Sequence, residues 1–302
     1  MRTINDGQPF ATTRTGALDF SAAELRHLIR TGELRRLFRG VVVAGSEPDT
    51  RDLRIAALRL VLPEAAVISD HSAAWVYGVD TLPPGRFRDL RPMCVVRHGT
   101  SRPHPARAVS RQTTLPDPDV VDINGAAITS PLRTTADLLR LNFRPHALAA
   151  ADAMVRAEVV VKEHLLEYVA QFRRVPYLKQ AHELAPHIDG ARASHGESWM
   201  GCRILDAGLP TPSIDHPIEH RGRRYRLDSA FVEQRVAAEY DGREFHGDEF
   251  DVEHDEDRRT RLSSQLGWVF AIATYPRIFG EDDSFERELG EHLGLQVRPR
   301  TW

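Results

Sequence analysis

Apolar and polar residues alternate along two stretches near the C-terminal end of the chain, and this pattern predicts two neighbouring β-strands. In residues 225–231, Tyr225, Leu227 and Ser229 share one face while Asp228 lies on the other. Residues 235–246 alternate in the same way until an Asp-Gly pair at Asp241 bends the chain. Both predicted strands therefore carry carboxylates.

A helix is predicted on each side of this strand pair. Residues 196–210 form the first helix, with Ser194 as its cap and with Gly208 and Pro210 ending it, so that Glu197 lies in its first turn. Residues 255–268 form the second helix, and the apolar run 268–274 predicts a closing strand.

The N-terminal pattern predicts a helix followed by a hairpin. Ser21 and Glu24 form a capping box, and an apolar stripe then continues to a stop at Gly32. Two short apolar runs flank Arg39 and Gly40, as in the wing of a winged helix-turn-helix.

The middle of the chain combines short strands and helices. Helices are predicted over 52–62 and 71–77, and after Pro131 over 131–140, 147–156 and 162–172. Between these two groups, a small β-rich module is predicted from the alternating runs 93–96, 106–109, 120–123 and 126–129.

Composition limits the class of protein. A chain of 302 residues that is 41% apolar predicts two or three domains with buried cores. Cys94 and Cys202 lie far apart in sequence, which predicts free thiols in a reducing compartment. No stretch reaches membrane-spanning length and no signal peptide is evident, so we expect a cytoplasmic protein without a membrane partner.

The net charge of −3 conceals an asymmetry along the chain. Residues 1–100 contain 14 Arg and 11 acidic residues, whereas residues 197–302 contain 14 Arg and 22 acidic residues. An acidic C-terminal region attracts nucleic acid only weakly, so we expect the basic N-terminal region to supply most of the electrostatic attraction.

The carboxylates of the two predicted strands are the strongest candidates for chemistry. Acidic groups on paired strands can point into one cavity, where they repel each other unless a cation lies between them. Hard oxygen ligands suit Mg²⁺ or Mn²⁺, and such ions activate water for attack on phosphodiesters. The alternative is structural, since a strand can carry an outward Asp and Glu197 can complement the helix dipole.

This spacing resembles the PD-(D/E)xK nucleases, with Asp228 as the first acid, Glu239 as the second and Glu197 as the third. It is more similar to the DUF559 and very-short-patch-repair endonucleases, whose strand reads roughly E-x-D-G-x-x-H and matches Glu239 to Gly242. The resemblance covers about 80 residues. It implies metal binding by Asp228, Glu239, Glu197 and Asp241.

Asp241 stands where the general nuclease pattern has a Lys that orients the attacking water. The DUF559 branch shares this change, and it moves the expected general base to His246, one residue later than in the branch, with His254 as the alternative. Ile272 replaces an Arg that is frequent in the branch.

The N-terminal region resembles the AbiEi-type antitoxins of abortive-infection systems. The resemblance rests on three segments: G-x-L-x-R-x-x-R-G-V at Gly32–Val41, the run from His71 to Gly78, and T-S-P-x-R-T at Thr129–Thr134. It implies a DNA-binding wing. The candidate DNA contacts are Arg26, Arg30, Arg35, Arg36 and Arg39, with Arg258 in the nuclease region. The alternative is an Arg-rich solvent face without a ligand.

Together these patterns predict an α+β winged helix-turn-helix (1–48), an AbiEi-like α/β and helical module (49–190) and an α/β restriction-endonuclease-like core with a mixed sheet flanked by helices (191–302). The predicted function is a Mg²⁺- or Mn²⁺-dependent DNA endonuclease that the winged helix brings to DNA, in phage defence or DNA repair. The alternative is a DNA-binding regulator or antitoxin with an inactive nuclease fold. DNA is the expected partner, and a homodimer and a regulatory protein partner stay open.

Overall fold

The computed structural model describes residues 5–12, 20–83, 90–173, 175–242 and 249–302, with side chains left undescribed at 249–256. Its helices are α1 (Ala22–Thr31), α2 (Arg51–Arg59), α3 (Asp70–Val76), α4 (Pro131–Leu141), α5 (Arg144–Arg156), α6 (Lys162–Gln171), α7 (Leu178–Leu184), α8 (His195–Asp206), α9 (Glu249–Leu266), α10 (Tyr275–Phe279) and α11 (Ser284–Leu293). Its strands are β1 (Phe10–Ala11), β2 (Leu34–Phe38), β3 (Val41–Ala44), β4 (Val67–Ile68), β5 (Met93–Val96), β6 (Val109–Gln112), β7 (Val120–Ile123), β8 (Ala126–Thr129), β9 (Ser213–His220), β10 (Arg223–Phe231), β11 (Val236–Asp241) and β12 (Val269–Thr274).

The chain divides into two compact units. The first unit comprises residues 1–141 and 157–181, and the second comprises residues 142–156 and 182–302. This division differs from the three predicted segments, because α5 belongs to the second unit. Arg144 on α5 donates to Asp206 on α8, and buried Asp152 on α5 accepts from Arg192 at 3.0 Å. These charged contacts span about 40 to 62 positions in sequence, so local patterns did not reveal them.

The N-terminal helix and hairpin form as the sequence predicts. The Ser21 hydroxyl accepts from Glu24 N at 3.2 Å, the Glu24 carboxylate accepts from Ser21 N at 2.7 Å, and Gly32 ends α1 in the left-handed region. Strand β3 lies between β1 and β2 in a three-stranded antiparallel sheet. The apolar side of α1 packs on this sheet through Leu25, beside Phe10, Leu34 and Val42.

The predicted β-rich module is a five-stranded mixed sheet of order β6-β5-β4-β8-β7. Strand β4 is only two residues long, too short for an alternating pattern to predict it. Strand β6 begins at Val109, where the predicted run 106–109 ends, because residues 104–108 form a turn closed by Arg107 N donating to His104 O. An apolar cluster of this unit packs Ile55, Leu58, Ile68 and Ile128 together.

A buried network of charged side chains stabilises the first unit beside this sheet. Asp137 on α4 accepts from Arg133 and from Arg140, each at 2.8 Å, and also from Arg111 on β6. Arg111 reaches Asp70 as well, and Arg133 donates to Asp119 at 2.8 Å. Burial opposes ionisation, but the three guanidinium groups hold the pKa of Asp137 below its usual range.

The sheet of the second unit has the order β12-β11-β10-β9, with β11 and β12 parallel and the other pairs antiparallel. The crossover from β11 to β12 contains α9. Val236 and Ala238 pack in a cluster with Met200 of α8 and Phe285 of α11, whereas Ala237 packs in another with Leu262 of α9. Because neighbouring strand residues point to opposite faces, helices cover both faces of this sheet.

Two further expectations concern the thiols and the membrane. Cys94 and Cys202 are free thiols, as predicted, and both are buried. Within the described ranges, no helix is both long and apolar enough to cross a membrane.

Candidate functional site

Glu197 enters the candidate site from the first turn of α8. Ser194 caps this helix, its hydroxyl accepting from Glu197 N at 3.1 Å, and the Glu197 carboxylate accepts in turn from Ala193 N at 2.8 Å. A carboxylate in a first turn is also favoured by the helix dipole. One carboxylate oxygen of Glu197 therefore accepts a hydrogen bond at the start of α8, and the side chain is half-buried.

A close approach between α8 and β11 sets the position of Glu197. A Cβ atom on Gly196 would lie 2.2 Å from Cε1 of Tyr240, so no larger residue fits while this ring stays in place. Tyr240 lies between Glu239 and Asp241 on β11. Sequence patterns did not predict this contact, although a glycine in the first turn of a helix, where other residues are more favourable, was a usable signal.

Asp228 lies on β10 beside β11, and its Oδ2 accepts from Tyr240 N at 2.9 Å. Burial, then the charge of Glu197, and further the charge of Glu239 raise its pKa to about 7, against the opposing effects of the Tyr240 N–H and Arg258. Asp228 therefore lies close enough to Glu197 and to Glu239 for both charges to act on it. Strands β10 and β11 and the start of α8 converge here.

Glu239 is 5% exposed and forms an ion pair with α9. Arg258 donates to its Oε2 at 2.7 Å, and the Arg259 Nε lies 4.0 Å from the same atom. The second Arg258 amino group donates to the backbone oxygen of Arg226 at 3.0 Å. Arg258, a predicted DNA contact, thus holds a candidate metal ligand.

Asp241 is the last residue of β11, where the parallel register places it beside Thr274 of β12. It is half-buried, and Gly242 follows it. His246 lies outside the described residues, and the side chain of His254 is likewise undescribed.

The chemistry of these acids suits a hard divalent cation, but within the described residues their arrangement does not form a complete metal site. Carboxylate oxygens are the ligands that Mg²⁺ and Mn²⁺ prefer, and like-charge crowding around Asp228 is what such a cation relieves. However, no three acidic, His or Cys side chains in the described part of the chain are arranged to hold a metal ion. The Arg258–Glu239 pair accounts for part of this difference, since a cationic group already neutralises Glu239.

The predicted N-terminal DNA contacts lie on α1 and the hairpin. Arg26, Arg30, Arg36 and Arg39 are exposed. Arg35 is half-buried and donates to Glu47 O at 3.1 Å. Four of the five side chains are therefore on the surface of the first unit.

Comparisons with known proteins assign part of the chain to a family. Residues 64–187 match the AbiEi antitoxin C-terminal domain. The His71–Gly78 and Thr129–Thr134 segments lie inside this range, whereas Gly32–Val41 precedes it. This match confirms the predicted AbiEi relationship for the middle of the chain.

Two relatives from Mycobacterium tuberculosis extend the similarity. "Uncharacterized protein MT2308" (strain CDC 1551 / Oshkosh) and "Uncharacterized protein Rv2248" (strain ATCC 25618 / H37Rv) are each 30% identical over 266 residues, covering 88% of this chain and 94% of the relative. The crystal structure of the RV2827C protein from the same species aligns over 72% of this chain and 85% of that chain, with 13% identity and a TM-score of 0.32. The chain belongs to the same family as the two 30% identical mycobacterial proteins, and it contains an AbiEi antitoxin C-terminal domain.

Proposed function

We propose that this protein is a DNA endonuclease that depends on Mg²⁺ or Mn²⁺ and that its N-terminal region brings to DNA. The observation that carries the proposal is the convergence of Glu197, Asp228 and Glu239, which come from one helix and two paired strands. The charges of Glu197 and Glu239 oppose ionisation of Asp228, which costs stability in a purely structural domain, so a site that uses these acids is the better explanation.

The architecture of the second unit supports the same proposal. Its order is a helix, three antiparallel strands, a crossover helix and a parallel fourth strand, with helices on both sheet faces. This is a mixed sheet flanked by helices, as the resemblance to restriction-endonuclease-like cores implies. The acids lie on the two central strands and the preceding helix.

Each side chain has a role in the proposed reaction. Asp228 and Glu239 would hold the cation, with Glu197 and Asp241 beside them, and Tyr240 N fixes one Asp228 oxygen. The bound cation would activate water for attack on the phosphodiester. Arg258 donates to Oε2 of Glu239, so Oε1 is the oxygen that would bind the cation, and a guanidinium at this place would suit a DNA phosphate. His246 is the proposed general base.

The direct test is cleavage by the purified protein. Supercoiled plasmid, linear duplex and single-stranded DNA are incubated with Mg²⁺, with Mn²⁺ and with a chelator. We expect cleavage of duplex DNA with metal and none with chelator. Intact substrates under every metal condition, from protein that binds DNA, would favour the second candidate function.

That second candidate is a DNA-binding antitoxin or regulator with an inactive nuclease fold. The AbiEi antitoxin C-terminal domain over residues 64–187 favours it, as does the ion pair that occupies Glu239. Binding without cleavage, together with repression of a promoter to which the protein binds, would identify it. Asp228→Asn would leave such repression unchanged.

The N-terminal arginines are expected to supply DNA affinity. The variant Arg30→Ala/Arg36→Ala/Arg39→Ala should weaken duplex binding across sequences, and the salt slope should fall by about 0.9 for each phosphate that is no longer neutralised. Fluorescence anisotropy over a range of salt concentrations measures both. Arg97→Ala/Arg102→Ala/Arg107→Ala, which removes three exposed charges elsewhere in the first unit, is the control. Equal behaviour of the two triple variants would contradict the assignment.

Asp241 is expected to tune the metal requirement. Asp241→Asn removes one charge from the end of β11 but keeps the size of the side chain. If Asp241 supports the cation, the variant needs a higher Mg²⁺ concentration for its half-maximal rate, and the rate at saturating Mg²⁺ changes less. A Mg²⁺ titration of the cleavage rate checks this. An unchanged titration curve would remove Asp241 from the metal site.

A further inference from the structure

We propose that a second DNA-binding surface lies on the β9–β10 hairpin and the adjoining part of α9. Its residues, called here the basic strip, are Arg221, Arg223, Arg224, Arg226, Arg258 and Arg261. The proposal rests on the proposed nuclease function for its ligand, duplex DNA. It gives the acidic cluster a substrate surface on its own unit, separate from the N-terminal arginines.

The hairpin presents its arginines on a well-defined backbone. Arg221 and Gly222 both have positive φ, 50° and 73°, as in a two-residue type I′ turn that matches the twist of paired strands. After the turn, Arg223↔His220 and Arg224↔Glu219 pair in register. Exposed Arg224 and Arg226 alternate with buried Tyr225 and Leu227 on β10. Because neighbouring strand residues point to opposite faces, Arg224 and Arg226 share one face of β10, and Arg223 shares the other with Tyr225.

Helix α9 runs beside β10 and adds Arg258 and Arg261 to the strip. Gln265 contacts His220 at 2.8 Å, Arg261 donates to the Tyr225 hydroxyl at 3.3 Å, and Arg258 donates to the Arg226 backbone oxygen at 3.0 Å. These three helix positions are spaced by three and four residues, so they lie on one face of α9. Arg261 of α9 thus adjoins the hairpin on the face of β10 that carries Tyr225 and Arg223, whereas Arg224 and Arg226 point to the other face.

The charge of the strip contrasts with the rest of its unit. Residues 216–226 contain four Arg and one acidic residue, Glu219, within a region 197–302 that has 22 acidic residues. Arg226 pairs with Asp215, but Arg221, Arg223 and Arg224 are exposed. An acidic unit repels a polyanion except where such a cluster lies, so DNA would approach it here.

The strip also leads to the candidate acids. Arg223 and Asp228 are five residues apart on β10, about 17 Å at the usual strand rise. Duplex DNA advances about 3.4 Å per base pair, so this length corresponds to about five base pairs. Arg258 contacts both the strip, through Arg226 O, and the acid site, through Glu239. A duplex held along the strip would bring a phosphate to the acids.

Duplex binding by the full chain in the presence of chelator tests the strip independently of cleavage. Arg223→Ala/Arg224→Ala is compared with Arg287→Ala/Arg298→Ala, which removes two exposed charges from the same unit. The probe is a labelled DNA duplex of about 25 base pairs, followed by fluorescence anisotropy in increasing KCl. We expect the strip variant to bind at least about fivefold more weakly at about 0.1 M salt. The slope of log affinity against log salt concentration should fall by about 0.9 for each phosphate that the missing arginines neutralise in the parent. The control should bind like the parent.

The outcomes separate this proposal from the nuclease proposal. A loss of affinity in the strip variant alone supports the strip, even if no metal produces cleavage. Equal affinity and slope in the parent and the strip variant overturn it, even if cleavage is observed, as does a parent that binds no duplex. Tighter binding of the matching RNA duplex by tenfold or more would overturn the assignment to DNA. Should the strip variant unfold, Arg221→Ala/Arg224→Ala takes its place in the same comparison.

Discussion

Replacing Asp228 with asparagine is expected to lower the cleavage rate at saturating metal by at least about a hundredfold. A bound cation contributes several kcal/mol of transition-state stabilisation, and each 1.36 kcal/mol corresponds to about a factor of ten. Asn keeps the shape of the side chain and can still accept from Tyr240 N, so the fold should persist. Cleavage assays over a range of Mg²⁺ concentrations measure the loss. A variant that cleaves at the parent rate would exclude Asp228 from the site.

The same substitution is expected to stabilise the metal-free protein, and this effect depends on pH. The folded-state pKa of Asp228 is about 7, against 3.8 for the ordinary group. Between these values the folded state binds a proton that the unfolded state releases, so stability falls as pH rises, and the penalty is complete above about pH 7. Its ceiling is about 4 kcal/mol, because each pKa unit corresponds to about 1.36 kcal/mol.

Thermal unfolding in chelator, at pH 5 and pH 8, checks this pH dependence. We expect Asp228→Asn to raise the melting temperature more at pH 8 than at pH 5. Asp282→Asn is the control with the opposite sign, because hydrogen bonds from the Ser284 N–H and hydroxyl hold the pKa of Asp282 below its usual value. A lower melting temperature for Asp228→Asn at pH 8 would mean that this carboxylate stabilises the fold.

Sequence patterns predicted those elements whose signals are local. The Ser194 cap of α8 and the alternating strand β10 depend on residues within a few positions of each other, and both elements form. The capping box at Ser21 does so as well. Patterns of this kind place Glu197 in a first helical turn, and Asp228 and Glu239 on adjacent strands. The candidate acids could therefore be chosen before their environment was known.

The environment of those acids depends on contacts between residues distant in sequence. Gly196 meets Tyr240 across 44 positions, and Arg258 pairs with Glu239 across 19. Neither contact leaves a periodic pattern in the chain, because each depends on how α8 and α9 pack on β11. The assignment of α5 to the second unit has the same origin. Arg258 was predicted to contact DNA, but the ion pair with Glu239 could only come from the packing.

Replacing Asp137 with alanine is expected to destabilise the first unit more strongly than any of the substitutions above. Asp137 is the carboxylate on which Arg111, Arg133 and Arg140 converge, and its side chain is 1% exposed. Removal of one partner from a buried ion pair costs about 3–5 kcal/mol, because the remaining charges stay buried without compensation. For a unit of this size that corresponds to a fall in melting temperature of roughly 10 °C.

Thermal unfolding of the full chain, followed by a signal from the first unit, measures this loss. Asp283→Ala is the matched control, since it removes the carboxylate of an Asp–Arg pair in which both side chains are about 60% exposed. Such surface pairs contribute about 0–1 kcal/mol, so the melting temperature of Asp283→Ala should change little.

Because the pKa of Asp137 is lowered in the folded state, the contribution of Asp137 to stability is present above about pH 4 and is lost as pH falls through the folded-state pKa. The difference in melting temperature between the parent and Asp137→Ala should therefore become smaller in acid. A gap of less than about 1–2 °C at pH 7 would show that Arg111, Arg133 and Arg140 find other partners, and that the network does not depend on this carboxylate.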